Sequence, residues 1–358
     1  MVYCRNHFLS LQTTRFRNPA MPTLSICIPT RNRSTHLANC IHSLISAQAH
    51  SVNSFQICIS DNNSSDNTAS IVQQAPMRLN IKYNKHSANV GFARNLLKVV
   101  SMADGEYVWV IGDDDLLMPY AVSTLNRLMD QHPLVDFFYV NSYGLNTDYL
   151  ARHPHPFDAT NFPENMQLLS GWRAEGELPF LDLINPNISF DFLGGIFLSV
   201  FRKRNWDKYT HVLDNTAILD NRIQSHFDNT FPHIKIYAHA FRASTAYFNS
   251  TPLIVSLFGS ATREWAPMYP LVRSVRLIEG LREYRNNGLS VWKFLYCKNR
   301  ALEHFLPDFV RLLLDKDQSG YKYISPLRLL FENCLYPNFY FSVIKLIIRN
   351  LRGKSPPK

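Results

Sequence analysis

Apolar residues in the first third of the chain fall into short runs that are separated by amphipathic stretches. Four of the runs have the length of β-strands, and they lie at residues 24–29, 55–60, 79–83 and 108–111. The first intervening stretch has the i, i+4, i+7, i+8 spacing of a helix, with its apolar positions at Leu37, Ile41, Leu44 and Ile45. Helices are also expected at residues 68–74 and 92–102. This alternation predicts an open α/β sheet with parallel strands.

The pattern changes after this alternating region. Residues 144–190 contain five of the chain's 20 prolines among polar and aromatic residues, which predicts a long irregular segment. Strands are expected at 192–201 and 234–241, with loop and helix at 212–231. From about residue 264 onward the periodicity is helical, and it ends in an amphipathic basic helix at 339–352.

Polar side chains follow each of the first four strands. In an open α/β sheet, ligands bind outside the carboxyl ends of the strands. The fourth strand ends in Gly112 and three consecutive carboxylates, Asp113, Asp114 and Asp115. Adjacent carboxylates repel one another unless a cation neutralises them, and oxygen ligands suit Mg²⁺ or Mn²⁺ holding phosphates. An acidic, solvated turn is the alternative for this segment taken alone.

Composition and charge narrow the class of protein. An apolar content of 46% with 18% charged residues is typical of a folded globular protein. The six cysteines form no Cys-x-x-Cys pair, so reduced thiols are expected rather than a disulfide framework or a zinc site. The net charge of +9 arises after residue 264, where 16 Lys and Arg face 7 Asp and Glu. Anionic lipid, a phosphorylated acceptor or nucleic acid are possible partners, and solubility alone is the alternative.

The sequence also bears on location. No apolar run approaches the roughly 20 residues needed to span a bilayer. Residues 1–22 lack the apolar core of a secretory signal, and Met21 suggests that they are a disordered extension or a misassigned start. A cytoplasmic protein, soluble or peripheral on the membrane, is expected. The basic helix at 339–352 fits either a membrane interface or the surface of its own domain.

Four segments in order and spacing resemble glycosyltransferase family 2, the inverting, nucleotide-sugar-dependent enzymes of the GT-A fold. They are Ser25-Ile-Cys-Ile-Pro-Thr-Arg-Asn-Arg33, Ile59-Ser-Asp-Asn-Asn-Ser-Ser-Asp66, Asn89-Val-Gly-Phe-Ala-Arg-Asn95 and Gly105-Glu-Tyr-Val-Trp-Val-Ile-Gly-Asp-Asp-Asp115. The resemblance covers roughly residues 24–130. Gly194-Gly-Ile-Phe and Arg202-Lys-Arg-Asn-Trp206 more weakly resemble bacterial O-antigen transferases such as abequosyltransferase.

The resemblance implies a donor site at the ends of the strands. Its expected residues are Pro29, Thr30, Arg31, Asn32, Asp61, Asn62, Asn89, Gly91, Arg94 and Asp113. Asp61 is expected to hydrogen-bond a pyrimidine base, and it fits uracil and cytosine equally. Arg94 is expected to supply charge to phosphate, although a plain surface position on a helix is the alternative.

The resemblance also implies a metal site. The family motif usually runs Asp-x-Asp-Asp, and this chain departs from it with Gly112 at the first position. The metal contact is therefore expected at Asp114 and Asp115, with Asp113 as a ribose or metal ligand. Mg²⁺ or Mn²⁺ would neutralise charge that develops on the leaving diphosphate.

An inverting transfer needs a general base beneath the acceptor hydroxyl. The family places an acid after the second half of the sheet, just before a helix, and Asp220 is the best positional match. Asp214 and Asp191 are the next candidates. A capping or surface role is an equal alternative for each of the three.

Together these implications describe an enzyme with three parts. Residues 23–263 are expected to form the GT-A domain, with a nucleotide-sugar half at 23–130 and an acceptor half at 131–263, and 264–358 to form a basic helical region. The expected reaction moves a sugar from UDP, CDP, GDP or dTDP to a lipid-linked saccharide in surface polysaccharide assembly, on the inner face of the plasma membrane. The weaker resemblance suggests a dideoxyhexose.

Two other classes of function remain alternatives. A nucleotidyltransferase is disfavoured because no Gly-rich, Lys-bearing loop follows the first strand. A silent sugar- or nucleic-acid-binding module is disfavoured because the aromatic residues lie mostly in apolar periodic runs, so nucleic acid is not an expected partner.

Overall fold

A computed structural model describes residues 22–51, 55–259 and 266–351. The prediction for the N-terminal extension therefore lies outside the described residues, apart from Pro22.

The described residues form one sheet of ten strands. The strands are β1 (Leu24–Thr30), β2 (Gln56–Asp61), β3 (Asn80–Lys85), β4 (Tyr107–Val110), β5 (Leu116–Leu117), β6 (Phe137–Asn146), β7 (Gln167–Leu168), β8 (Gly176–Pro179), β9 (Ser199–Arg202) and β10 (Thr245–Phe258). Their order is β3-β2-β1-β4-β9-β6-β10-β5, with β7 paired to β6 and β8 paired to β10.

The helices of the described residues cover both faces of this sheet and continue beyond it. They are α1 (Ser34–Ala49), α2 (Thr68–Gln73), α3 (Phe92–Ser101), α4 (Ala121–Gln131), α5 (Thr147–Leu150), α6 (Lys203–Tyr209), α7 (Asn215–Leu219), α8 (Phe227–Thr230), α9 (Pro232–Ala240), α10 (Tyr269–Leu271), α11 (Leu277–Asn286), α12 (Val291–Ala301), α13 (Phe305–Leu314), α14 (Pro326–Asn333) and α15 (Pro337–Leu351). A π-helical turn, Val272–Arg276, joins α10 to α11.

The first half of the sheet is parallel, as the alternation of strands and helices predicts. β1 pairs in parallel with β2 and with β4, and β2 pairs in parallel with β3. β1, β2 and β4 are almost continuously buried because helices cover both of their faces. The carboxyl ends of these strands therefore meet at one edge.

The second half of the sheet is mixed. β9 runs antiparallel to both β4 and β6, whereas β10 runs parallel to β6 with register shifts between Asn249 and Ile254. The proline-rich segment 144–190 contains only short regular elements after the end of β6, namely α5, β7, β8 and a 3-10 helix at Phe180–Leu183. Strand β9 thus joins the two halves beside the strand that carries the carboxylates.

Two buried clusters lie on opposite faces of the sheet. Alternate residues of a strand point to opposite faces, so Ile26 and Trp109 pack towards α1 and α4, whereas Cys27 and Val110 pack towards α3 and α9. The five cysteines within the described residues are free thiols, as expected, and four of them are buried.

Two strand predictions from the second half need correction. Residues 234–241 lie mainly in helix α9, because Pro232 occupies its first turn and Ile234, Tyr237 and Phe241 have helical spacing as well as a local alternation. Residues 192–201 become a strand only at Ser199. Before it, Phe192 and Leu193 have φ values of 53° and 69° and form a tight turn.

The helical C-terminal region that the sequence predicts is present. Its helices α11 to α15 pack around small clusters that include Phe305, Phe309 and Phe339. Within the described ranges, no helix is both long and apolar enough to cross a membrane.

Candidate functional site

The loop after β4 brings the three carboxylates together around a glycine. The Gly112 N–H donates to Asp115 Oδ2 at 2.7 Å. A Cβ atom on Gly112 would lie 2.7 Å from Asp114 Oδ1 and 3.0 Å from Asp115 Oδ2, which is too close for a real side chain. Glycine at position 112 therefore lets the Asp114 and Asp115 carboxylates keep their present positions close to the backbone.

An arginine that the sequence analysis did not select lies opposite these carboxylates. Arg33 Nη1 donates to Asp113 Oδ1 at 2.8 Å, and Nη2 donates to Asp114 Oδ2 at 2.9 Å. Thr30 Oγ1 donates to the other oxygen of Asp113 at 2.7 Å. Burial acts to lower the pKa of Arg33, but the charges of Asp113 and Asp114 outweigh it and raise the pKa. The sequence could have indicated this residue, because Arg33 follows Thr30 by three positions. The end of β1 lies at the same edge of the sheet as the end of the acidic strand β4.

The side chains fit a divalent cation, although they do not form a complete ligand set. Asp113, Asp114 and Asp115 are all buried, and oxygen donors of this kind match Mg²⁺ or Mn²⁺. In the part of the chain that the structure describes, no group of three or more His, Cys, Asp or Glu residues is arranged to hold a metal ion. The oxygens that best match metal ligands are Asp114 Oδ1 and Asp115 Oδ2, which lie beside Gly112.

The loop after β2 is organised by Asp61, which is fully buried. Asp61 Oδ1 accepts from the Ser64 N–H at 2.7 Å, and Oδ2 accepts from the Tyr83 hydroxyl at 2.7 Å. Burial and the hydrogen bond to Asp61 raise the pKa of Tyr83. Asp61 thus lies at the predicted strand end, but its side chain shapes the loop and its contact with a base stays a prediction.

The turn after β1 is joined to that same loop. Asn32 has a φ of 52°, its N–H donates to Ser64 Oγ at 2.8 Å, and its Oδ1 accepts from the Ser65 N–H at 2.8 Å. Pro29 and Thr30 occupy the last positions of β1, opposite Ser60 and Asp61 of β2. Arg31 follows in the turn and is partly buried.

A second link runs from β2 to the loop before α3. Asn62 Nδ2 donates to Asn89 Oδ1 at 2.8 Å, and Asn62 Oδ1 accepts from the Val90 N–H at 2.7 Å. Gly91, with a φ of 83°, begins α3. Arg94 is exposed in the first turn of α3, where its charge helps to lower the pKa of His86 after burial and Lys98.

Asp220 belongs to a loop that contacts the residues just before α3. The neighbouring Asn221 donates from Nδ2 to the Asn89 carbonyl at 3.2 Å, and its Oδ1 lies 3.0 Å from the Cβ position of Gly91. Asp220 itself accepts from Arg222, from Ser225 Oγ at 2.8 Å and lies 3.2 Å from His226 Nε2. The hydrogen bond from Arg222 holds the pKa of Asp220 well below its usual range, so the carboxylate is ionised at neutral pH.

The C-terminal region contacts the Asp220 loop through Arg276 and Tyr323. Arg276 donates to the carbonyl of Ser225 at 2.7 Å and to that of Gln224 at 3.2 Å. The Arg222 guanidinium lies 5.5 Å from the ring centre of Tyr323. The sequence analysis selected neither arginine, because these contacts join segments about 50 to 100 residues apart.

The other two candidate bases lie in different settings. Asp214 caps α7 by accepting from the Thr216 and Ala217 N–H groups, and it is exposed. Asp191 is buried, which raises its pKa, and it accepts from Ser189 Oγ and the Gly195 N–H. Its turn lies beside β4, because Trp109 Nε1 donates to the Phe197 carbonyl at 2.7 Å.

Comparison with solved structures defines the class of this fold. A structure of TarS from S. aureus in complex with UDP has a TM-score of 0.54 at 15% identity, and it covers 90% of this chain and 87% of that one. A second structure of TarS has a TM-score of 0.50 at 14% identity, covering 84% of this chain and 89% of that one. The architecture is that of the GT-A glycosyltransferases.

Comparison of sequences gives the family. Residues 25–182 match the profile described as Glycosyl transferase family 2. This stretch, a little under half of the chain, is similar to the family 2 glycosyltransferase domain, in agreement with the expected family and fold.

Two characterised relatives show how far the similarity extends. Abequosyltransferase RfbV of Salmonella typhimurium is 27% identical over 248 residues, which cover 65% of this chain and 66% of that protein. The GalNAc(5)-diNAcBac-PP-undecaprenol beta-1,3-glucosyltransferase of Campylobacter jejuni is 35% identical over 109 residues, 29% of this chain and 34% of that protein. The chain thus matches just under two thirds of the first relative and about a third of the second.

Proposed function

We propose that this protein is an inverting glycosyltransferase that moves a sugar from a nucleotide diphosphate to a lipid-linked saccharide of a surface polysaccharide. The observation that carries the proposal is the meeting of the three carboxylates, Arg33 and the loops after β1, β2 and β3 at one edge of the sheet. The name of the Campylobacter relative, whose substrate is undecaprenol-linked, supports the acceptor class. The likeness to abequosyltransferase supports a dideoxyhexose as the donor sugar.

The nucleotide would bind to loops that hydrogen bonds connect to one another. The loops around Asn32, Asn62 and Asn89 form one hydrogen-bonded rim, to which the base and ribose would bind. Arg31, Arg33 and Arg94 lie at or near this rim and would face the diphosphate. UDP, bound by TarS, is the first candidate among UDP, CDP, GDP and dTDP.

The carboxylates Asp114 and Asp115 would hold Mg²⁺ or Mn²⁺. When bound, the cation supplies charge neutralisation to the leaving diphosphate. Asp113 would remain with Thr30 and Arg33, where it fixes the turn after β1 and faces the ribose.

The transfer itself needs one proton acceptor on the acceptor side. The acceptor oxygen would form a bond to the anomeric carbon as the bond from that carbon to the diphosphate oxygen breaks, which inverts the configuration. We assign proton removal to Asp220, because the neighbouring Asn221 of its loop contacts Asn89 and Gly91. Asp191, whose raised pKa suits a base, is the second candidate, and Asp214 is the third because capping occupies its carboxylate.

The C-terminal region would face the membrane that carries the acceptor. α12, α14 and α15 each expose apolar side chains at helical spacing. Trp292, Phe331 and Leu335, which follows α14, are 82%, 81% and 91% exposed. Soluble proteins rarely expose so many large apolar residues in one region. Together with the net charge of +9, this fits a surface that binds anionic lipid on the inner face of the plasma membrane.

We also propose that three consecutive parts of the chain bind the donor, the acceptor and the membrane. Residues 23–130 would bind the nucleotide sugar, 131–263 would bind the acceptor, and 264–358 would contact lipid. The contact of Arg276 with the Asp220 loop supports a link between the last two parts.

Substitution of one carboxylate tests the donor site. Asp114→Ala should weaken nucleotide diphosphate binding in Mn²⁺ by at least about tenfold, because it removes a charged ligand from the site. Isothermal titration calorimetry with UDP, CDP, GDP and dTDP measures this, with Asp148→Ala, an exposed carboxylate of α5, as the control. Unchanged affinity in Asp114→Ala would refute the assignment of Asp114.

A further inference from the structure

The carboxylate cluster already contains an internal cation, the Arg33 guanidinium. It spans two buried carboxylates and is itself only 24% exposed. Its two donor atoms contact different residues, Asp113 and Asp114, at 2.8 and 2.9 Å. The positive charge is thus fixed at the point where a divalent cation would also be held.

The two oxygens of Asp114 face in different directions. Oδ2 accepts from Arg33, whereas Oδ1 lies against Gly112, on the side where Asp115 Oδ2 is also found. A metal ion at Asp114 and Asp115 would therefore share one carboxylate with Arg33. Two cations on the same carboxylate repel each other, and in a buried site this repulsion is weakly screened.

We propose that Arg33 makes metal binding depend on the donor. In the empty site, the guanidinium weakens the attraction of Asp113 and Asp114 for a divalent cation. A nucleotide diphosphate brings negative charge between the two cations, so that metal and donor bind tightly only together. Arg33 is then a positioning residue that sets the coupling between the two ligands. The inference rests on the proposed function, because it takes the donor to be a nucleotide diphosphate.

The coupling has a direction that can be measured without turnover. Removing the charge at position 33 should increase the affinity for Mn²⁺ alone and decrease the factor by which a nucleotide diphosphate strengthens Mn²⁺ binding. Coupling between two ligands is typically about 5- to 150-fold, so a change of about tenfold in each quantity is expected.

The experiment titrates Mn²⁺ into the full-length protein and counts free Mn²⁺ by electron paramagnetic resonance. The wild type is compared with Arg33→Gln and Arg33→Lys, first with Mn²⁺ alone and then with UDP, CDP, GDP and dTDP. Lys82→Gln is the control, because Lys82 bonds Asp104 and the Met102 carbonyl before β4, at the opposite end of that strand. Thermal melting of each variant shows that it is folded.

The outcomes separate the inference from the function on which it rests. We expect Arg33→Gln to bind Mn²⁺ alone about tenfold more tightly, with Arg33→Lys between it and the wild type and Lys82→Gln unchanged. Equal or weaker Mn²⁺ binding by a folded Arg33→Gln protein contradicts the inference. Failure of the wild type to bind any of the four nucleotides in Mn²⁺ contradicts the proposed function instead, whatever the result for Mn²⁺ alone.

Discussion

At the scale of single residues, the site depends on where a side chain is absent as much as on where one is present. Gly112 leaves room for two carboxylates, and Gly91 leaves room for Asn221. Several of the charged side chains form ion pairs with their neighbours. Arg33 binds Asp113 and Asp114, and Arg222 binds Asp220. These contacts hold the side chains of the candidate site in defined positions, which lowers the entropic cost of ordering them on binding.

Gly112 provides a direct test of this packing. Gly112→Ala should weaken nucleotide diphosphate binding in Mn²⁺ by about tenfold. The new methyl group would lie only 2.7 Å from Asp114 Oδ1 and would push that carboxylate out of position. Gly171→Ala is the matched control, since no atom lies within 4 Å of its Cβ position. Calorimetric titration of both variants gives the comparison. Equal affinities for the donor would show that Asp114 does not need its present position.

At the scale of elements, the sequence pattern predicted the parallel half of the sheet closely. Strands β1, β2 and β4 are buried on both faces, so their apolar runs are unambiguous, and polar loops mark their ends. The pattern failed at α9, where Ile234 and Ile236 fit a strand and a buried helix equally well. It also could not predict the contact of Arg33 with Asp113, because those residues are 80 positions apart and only the fold brings them together.

Helix α9 carries a buried histidine with a consequence for stability. His233 Nε2 lies 3.0 Å from the Gly194 carbonyl, and burial lowers its pKa to about 4. In the unfolded chain the pKa is about 6.5, so below that pH the unfolded state binds a proton that the folded state does not. The stabilisation that the folded protein gains by keeping His233 neutral is therefore fully present above pH 6.5. It is lost as the pH falls towards 4.

This linkage predicts how much the free energy of unfolding falls as the pH is lowered. His233 should lower the free energy of unfolding by about 3 kcal/mol between pH 7 and pH 4. Urea denaturation at several pH values measures the slope, which should be shallower in His233→Gln. The control His50→Gln, at the exposed end of α1, should keep the slope of the wild type. Parallel slopes for His233→Gln and the wild type would rule out a neutral buried His233.

At the scale of the whole molecule, three regions meet around one loop. The Asp220 loop contacts the segment before α3 through Asn221 and the C-terminal region through Arg276 and Tyr323. A movement of the C-terminal helices would therefore reach the Asp220 loop directly. The exposed apolar residues of those helices give the proposed membrane contact a defined location.

Substitutions on these helices test the membrane contact. A combined Trp292→Ser, Phe331→Ser and Leu335→Ser variant should lose most binding to anionic vesicles, because each side chain contributes apolar area that would enter the interface. Co-sedimentation with phosphatidylglycerol vesicles measures the bound fraction. Met77→Ser with Leu134→Ser, which removes exposed apolar residues far from the C-terminal helices in sequence, is the control. Equal sedimentation of the triple variant and the wild type would place lipid contact elsewhere.

The central claim is that this edge of the sheet binds a nucleotide diphosphate together with a divalent cation. The most direct measurement is the thermal shift of the purified protein with UDP, CDP, GDP and dTDP, each with and without Mn²⁺. We predict that one nucleotide raises the melting temperature only when Mn²⁺ is present, and that Asp114→Ala abolishes the shift. A cooperative melting transition that none of the eight conditions changes would contradict a GT-A donor site in this protein.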